Sequence, residues 1–234
     1  MKSSIISKVS FLAVALVAAG GVATAAHAQS TPAPKLNVGD KWVYNVKSGI
    51  GLTTATYPET REVIALSGKG GKIKVTGKTV DGKDFTRIDE FSAPGTLKSG
   101  ALCADEVYRF PTPLKRVSFP LAPGQRSSKW VDVVAEPDGT KGQINYFFRT
   151  RSWDKQTVPA GSFDALRVDV LMVLDDSTPF RTATNCNFTY WYSPAVRGTV
   201  RERRAAQYMG LDQQAEYRLL EQFWELASFT LGKP

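Results

Sequence analysis

Histidine is nearly missing from this sequence: His27 is the sole one among 234 residues. Cysteine is scarce, with two residues, and no apolar run reaches the roughly 20 residues that a membrane-crossing helix needs. Each shortage excludes something. A Ser-His-Asp or Cys-His nucleophile has no imidazole base to work with. A structural zinc site would need more sulfur and nitrogen ligands than the chain holds. The lone histidine also lies in a segment that reads as a secretory signal over residues 1–28: Lys2 and Lys8 give the positive start, Val9 to Ala26 is apolar or small, and Ala26-His27-Ala28 is a small-x-small cleavage pattern. An uncleaved anchor is the competing reading, but the strongly apolar stretch Phe11–Ala19 is short and Gly20-Gly21 breaks the run at its end. No cysteine stands at the cleavage site to carry a lipid. A free periplasmic or secreted protein without a histidine is therefore expected.

What is present suits one β-rich domain over residues 37–234, after a loose proline-bearing leader over 29–36. Hydrophobic residues make up 42% of the chain and phenylalanine numbers 12, enough for a real core. The 30 basic residues against 22 acidic become 28 against 22 once Lys2 and Lys8 are removed. That excess is mild and spread out, which fits anionic envelope surfaces and gives no footprint for nucleic acid. In an oxidising compartment Cys103 and Cys186 are expected to pair, the alternative being two buried thiols acting as small apolar groups.

Period-two patterning runs through the chain. Trp42, Tyr44 and Val46 share one strand face; Leu166, Val168, Val170, Met172 and Leu174 share another; Phe188, Tyr190 and Tyr192 a third. One wet and one dry face per strand is the mark of antiparallel sheets. Gly70-Gly71, Asp81-Gly82 and Asp138-Gly139 read as hairpin turns. The C-terminal segment is ambiguous: Leu219, Leu220, Phe223, Trp224 and Ala227 would share a helical face, while Phe229-Thr230-Leu231 is β-like.

Four islands carry a resemblance: Gly39-Asp40-Lys41-Trp42-Val43-Tyr44; Phe119-Pro120-Leu121 with Gly124 and Trp130; Val158-Pro159-Ala160-Gly161-Ser162-Phe163-Asp164-Ala165; and Tyr190-Trp191-Tyr192-Ser193-Pro194 with Gly198. Their order and spacing resemble uncharacterised exported bacterial proteins, the TapB-like and related domains of unknown function. The resemblance implies an all-β fold, a single antiparallel curved sheet forming an open or half-closed barrel, broadly similar to the LolA and LolB half-barrels. It also implies that Tyr217 to Leu231 is mainly strand, with a short helix near the C-terminus as the alternative. The islands have a structural explanation of their own, as turns and core positions.

The candidate chemistry is thin. Asp175-Asp176-Ser177-Thr178 lacks calcium-loop spacing and reads as a polar hairpin. Asp105, Glu106, Asp175, Asp176 and Glu202 are the carboxylates a carboxylate-only glycoside hydrolase would draw on. Asn187-Phe188-Thr189 matches a glycosylation acceptor but falls inside a strand. The candidate ligand contacts are Trp191 and Tyr192, by stacking, and the stripe of Arg197, Arg201 and Arg203 on one strand face, with Glu202 and Arg204 opposite. The bland reading of that stripe is a solvated face of cross-strand ion pairs. No cofactor or metal is implied. The expected function is non-catalytic: holding a lipid or other amphipathic envelope molecule in the sheet's hollow. An envelope protein-protein interaction module is the first alternative and the carboxylate hydrolase the second.

Overall fold

The computed structural model describes residues 30–50, 53–79, 81–103, 106–136, 138–175, 182–210 and 216–234. The signal segment 1–28, Asp105 and the run Asp176–Thr178 lie outside the described residues.

Alternating inward and outward side chains build twelve strands: β1 (Lys41–Ile50), β2 (Thr53–Ser67), β3 (Gly70–Lys78), β4 (Asp84–Ala93), β5 (Thr96–Ala101), β6 (Val107–Lys115), β7 (Arg126–Glu136), β8 (Lys141–Val158), β9 (Gly161–Asp175), β10 (Thr184–Ser193), β11 (Gly198–Met209) and β12 (Glu216–Thr230). Each pairs antiparallel with its sequence neighbours, and β1 pairs with both β2 and β12, so the sheet is a closed barrel. The expected open or half-closed sheet is thus corrected. The reason is β12, which zips along β1 from Lys41↔Thr230 to Gly49↔Glu221 and leaves no free edge. The helical alternative near the C-terminus is corrected with it: among the described residues the only helical turn is the 3₁₀ segment Pro194–Val196. In β12 the inward set is Gln222, Trp224 and Leu226, all buried. A polar Gln in that set spoils strand periodicity and lets the helical pattern compete.

The interior is packed by two apolar clusters. One gathers Tyr108, Phe110, Ile144, Tyr146, Phe148 and the inward face of β9. The other gathers Trp42, Tyr44, Val46, Tyr57, Trp224 and Leu226. The outer wall carries cross-strand ion pairs such as Lys72–Glu90 at 2.7 Å, Arg203–Glu221 at 2.7 Å, and Asp169 between Arg151 and Arg167 at 2.7 and 2.8 Å. The β2–β3 turn falls at Gly68-Lys69, with Gly70-Gly71 already in β3, where a Cβ on either glycine would come within 2.5 Å of a backbone oxygen.

Because strand direction alternates, chain reversals fall on two rims. The rim opposite the termini holds the disulfide. Cys103, just past β5, bonds Cys186 of β10 across the interior, with Cα atoms 5.8 Å apart and 83 residues between them in sequence. The other rim holds both ends of the barrel chain. There the segment read as a loose leader lies against the wall: Thr31, 6% exposed, exchanges backbone hydrogen bonds of 2.7 and 2.8 Å with Leu121. Asp40, fully buried, fastens this rim. Its carboxylate accepts hydrogen bonds from Asn37 N–H at 2.9 Å, Gly232 N–H at 2.7 Å and Arg197 Nη1 at 3.0 Å. Asp40→Asn removes the charge and turns an N–H group toward these donors. It is expected to cost about 2 kcal/mol in urea unfolding, the range of hydrogen bonds to charged groups.

Candidate functional site

The candidate site is a cavity of about 230 Å³ at the termini-bearing rim of the barrel. Three of the four resemblance islands contribute aromatics to its walls. Trp42 and Tyr44 enter from β1, Tyr190 and Tyr192 from β10. Trp42 is set by its Nε1–H, which donates to Val196 O at 2.7 Å, and by Gly198, where a Cβ would meet that same Nε1 at 3.0 Å. Tyr44 donates to Thr199 O at 2.8 Å. Phe119 packs edge-on against Tyr192, centroids 5.6 Å apart. Leu36 of the leader and Val117 complete the apolar side.

Beneath this aromatic rim lies a charged layer. Inward positions on β2 carry Glu59 and Arg61, on β4 Arg87 and Asp89, and on β11 Glu202 and Arg204. Glu202, 2% exposed, accepts from Arg204 Nε at 2.6 Å and Arg61 Nη1 at 3.2 Å. Arg61 Nε also donates to Glu59 at 2.7 Å, and Arg87 Nε to Asp89 at 3.0 Å. Arg204 and Arg61 sit over the Trp224 ring at 4.6 and 5.9 Å, and Arg61 over Tyr44 at 4.7 Å. Burial alone would raise the Glu202 carboxyl; Arg204, Arg61 and Arg116 outweigh it and hold the group down to about 2. Burial pushes the phenols of Tyr44, Tyr146, Tyr190 and Tyr192 above their ordinary range, so they stay protonated donors.

The sequence-derived site residues divide between cavity and outer wall. Tyr192 and Arg197 line the cavity, Arg197 while paired with Asp40. Trp191 faces outward and half-buried, with Arg167 5.9 Å from its ring. Arg201 and Arg203 also face outward: Arg201 is engaged by Gln156 Oε1 at 2.9 Å, Thr157 O at 3.0 Å and Glu225 at 2.8 Å, and Arg203 by Glu221 at 2.7 Å. The expected single stripe of Arg197, Arg201 and Arg203 is broken. Arg197 takes a left-handed backbone (φ 54) in the turn before β11, and the strand irregularity opposite Trp191/Tyr192 shifts the phase. Arg203→Ala is expected to move stability by less than about 0.5 kcal/mol, as its ion pair is solvent-exposed on both sides. Sequence reading missed Arg61, Arg87 and Arg116, and it set Arg204 with Glu202 on the face opposite the stripe without giving either a place in the cavity layer. Arg61 and Arg87 lie on strands with charge on both faces, so alternation of charge with charge leaves no inward signal, and Arg116 lies just past the end of β6.

Of the acids considered for hydrolysis, Glu106 and Asp175 lie toward the opposite rim, Glu106 against the Tyr108 hydroxyl. Among the described residues, no cluster of three metal-ligating side chains is found.

No protein family model matches this chain, and no curated protein matches it. A solved structure from Bacteroides fragilis, described as an exported protein with a YmcC-like fold, superposes over 86% of this chain and 100% of its own at TM-score 0.50 and 14% identity. The fold here is similar to the YmcC-like fold. A structure from Parabacteroides distasonis described as a lipoprotein covers the same shares at TM-score 0.49 and 14% identity. The hypothetical lipoprotein YmcC of Escherichia coli superposes at TM-score 0.40 and 8% identity, over 82% of this chain and 85% of its own. At these identities the likeness is one of fold.

Proposed function

We propose that the chain is an exported, non-catalytic binding protein that takes part of an amphipathic envelope molecule into the cavity at the termini-bearing rim. The observation that carries this reading is a hollow of about 230 Å³ with an aromatic and aliphatic rim above a polar floor. The volume suits a head group, and the adjoining hollow of about 500 Å³, which shares Pro34, Leu36 and Phe119, gives an apolar stem room to continue. The charged outer wall supports an aqueous setting, since barrels that cross membranes present an apolar band outward and polar groups inward. The signal-like segment 1–28 and the fold likeness to a protein described as exported support an envelope location. Asp89 is the one carboxylate lining the cavity among the described residues, which gives a glycosidase no facing pair. Docking through the outer arginines has less to draw on, because Arg201 and Arg203 already hold carboxylates.

The test is native mass spectrometry of protein purified without detergent from the envelope of the cell that makes it. Ala101, 6% exposed, lines the cavity, and Ala101→Leu fills it. A discrete small-molecule adduct on wild type that vanishes in Ala101→Leu supports the reading. An adduct retained by the filled variant, or none on wild type, contradicts it.

A further inference from the structure

The barrel interior holds one more inward cation than inward anion. Among the described residues the guanidinium groups are Arg61, Arg87, Arg116 and Arg204, and the carboxylates are Glu59, Asp89 and Glu202. Arg197 is set aside because Asp40 neutralises it. Arg87 has Asp89, Arg204 has Glu202, and Arg61 bridges Glu59 and Glu202. Arg116 has no carboxylate of its own. Its guanidinium lies beside the Tyr146 phenol and 5.8 Å from the Tyr190 ring centre, and it lines the cavity.

Arg116 is not the only donor there short of an anion. Arg61 Nη2 is buried and has no hydrogen-bond partner, and neither does the Tyr192 hydroxyl, on a residue 6% exposed. Both residues line the same cavity. A guanidinium cannot shed its proton to escape burial, and a buried phenol cannot hydrogen-bond to a ring face as it would to an oxygen. Arg116, Arg61 and Tyr192 thus each bring a donor without an anionic partner to the lining of one cavity. Among the described residues the one carboxylate on that space, Asp89, is held by Arg87 at 3.0 Å. The approach is basic as well: a neighbouring hollow shares Pro34, Leu36 and Phe119 with the cavity and is flanked by Lys69 and Lys115.

We propose that the cavity is an oxyanion site, in which Arg116, Arg61 Nη2 and the Tyr192 hydroxyl together receive one phosphate or carboxylate group of the bound molecule. Arg116 supplies the charge and a planar fork of donors matched to two oxygens. Arg61, anchored by Glu59, presents its spare N–H, and Tyr192, braced by Phe119, adds a neutral donor. Leu36, Val117 and Phe119 then lie against the carbon attached to that group. This inference rests on the binding function proposed for the cavity and adds the chemistry of the ligand's polar end.

The experiment is calorimetric titration at fixed ionic strength with three probes: inorganic phosphate, monobutyl phosphate and 1-butanol. Wild type is expected to bind monobutyl phosphate at least tenfold more tightly than phosphate, and 1-butanol weakly. Arg116→Gln is expected to lose tenfold or more for both anions while its melting temperature changes little, because no direct ion pair is lost. Tyr192→Phe keeps the ring against Phe119 and is expected to lose three- to tenfold for the anions with no loss of folding. Binding of free phosphate equal to that of its ester identifies a site for the free ion, which upholds the oxyanion chemistry and removes the apolar stem. Monobutyl phosphate and 1-butanol binding alike, unaffected by Arg116→Gln, overturns the oxyanion site and leaves the amphipathic reading standing. No binding of any probe overturns both. Arg116→Gln melting lower with anion affinity unchanged makes Arg116 a structural residue and also overturns the proposal.

Discussion

Glu202→Leu is expected to lower the unfolding free energy by about 3–5 kcal/mol at neutral pH, the cost of removing one partner from a buried ion pair. Glu202 is 2% exposed and answers two guanidinium groups, Arg204 at 2.6 Å and Arg61 at 3.2 Å. Leucine fills much of the same volume but leaves both cations without their shared acceptor. The pH dependence separates this cause from poor packing. The carboxyl is held down from 4.5 to about 2 in the folded state, so its contribution is fully present above about pH 4.5 and drains away as pH falls toward 2. The wild-type protein should therefore weaken across that window by roughly 3 kcal/mol from this group, and the deficit of Glu202→Leu should shrink in step. Urea melts at pH 7 and about pH 3 measure both. A deficit that does not change with pH assigns the loss to packing. The double variant Glu202→Leu/Arg204→Leu should recover part of the loss, since it removes one of the stranded charges along with its partner.

Removal of the disulfide by Cys103→Ser/Cys186→Ser is expected to cost about 4 kcal/mol in the chain-entropy account of a closed loop of this length. For a domain near this size that corresponds to a fall in melting temperature of roughly 10–15 °C. The bond spans 83 residues and links β5 to β10, which are not neighbours in the barrel. No ladder of strand hydrogen bonds duplicates its constraint. Both sulfur-bearing residues are buried, Cys103 at 3% and Cys186 at 1%, so reductant should act slowly on the folded protein and quickly once urea opens the barrel. Unfolding curves with and without reductant check both statements; coincident curves for wild type and the double variant contradict the first.

Some of this molecule was legible from residues alone, and the reason differs by element. β9 read cleanly because Leu166, Val168, Val170, Met172 and Leu174 form an unbroken apolar face opposite Arg167 and Asp169, and all five are buried. The GDKWVY island read as turn and core, and Trp42 and Tyr44 are both core and cavity wall. Closure did not read, because it depends on β12 finding β1, a pairing across almost the whole chain that no local pattern encodes. Only part of the candidate site reads from sequence. Tyr192 and Arg197 stand out, and Arg204 falls with Glu202 on the face opposite the stripe, while Arg61 and Arg116 are hidden by their surroundings. On β11, Arg201-Glu202-Arg203-Arg204 places charge on both faces, and a rule that sends charge outward assigns the wrong half to the solvent. Arg116 sits just past the end of β6, where alternation stops carrying information. A run of charges on both faces of a strand in an otherwise apolar barrel is the signal that could have found this layer.

On this account the cavity exists to hold a negatively charged group. The most direct test is a high-resolution crystal structure of protein purified from its own envelope in buffers free of phosphate, sulfate and carboxylate. The account predicts density for an organic molecule in the cavity, with an oxygen-bearing end within hydrogen-bonding distance of the Arg116 guanidinium and the Tyr192 hydroxyl. A cavity holding water alone, with Arg116 turned onto a carboxylate of the barrel, would contradict it.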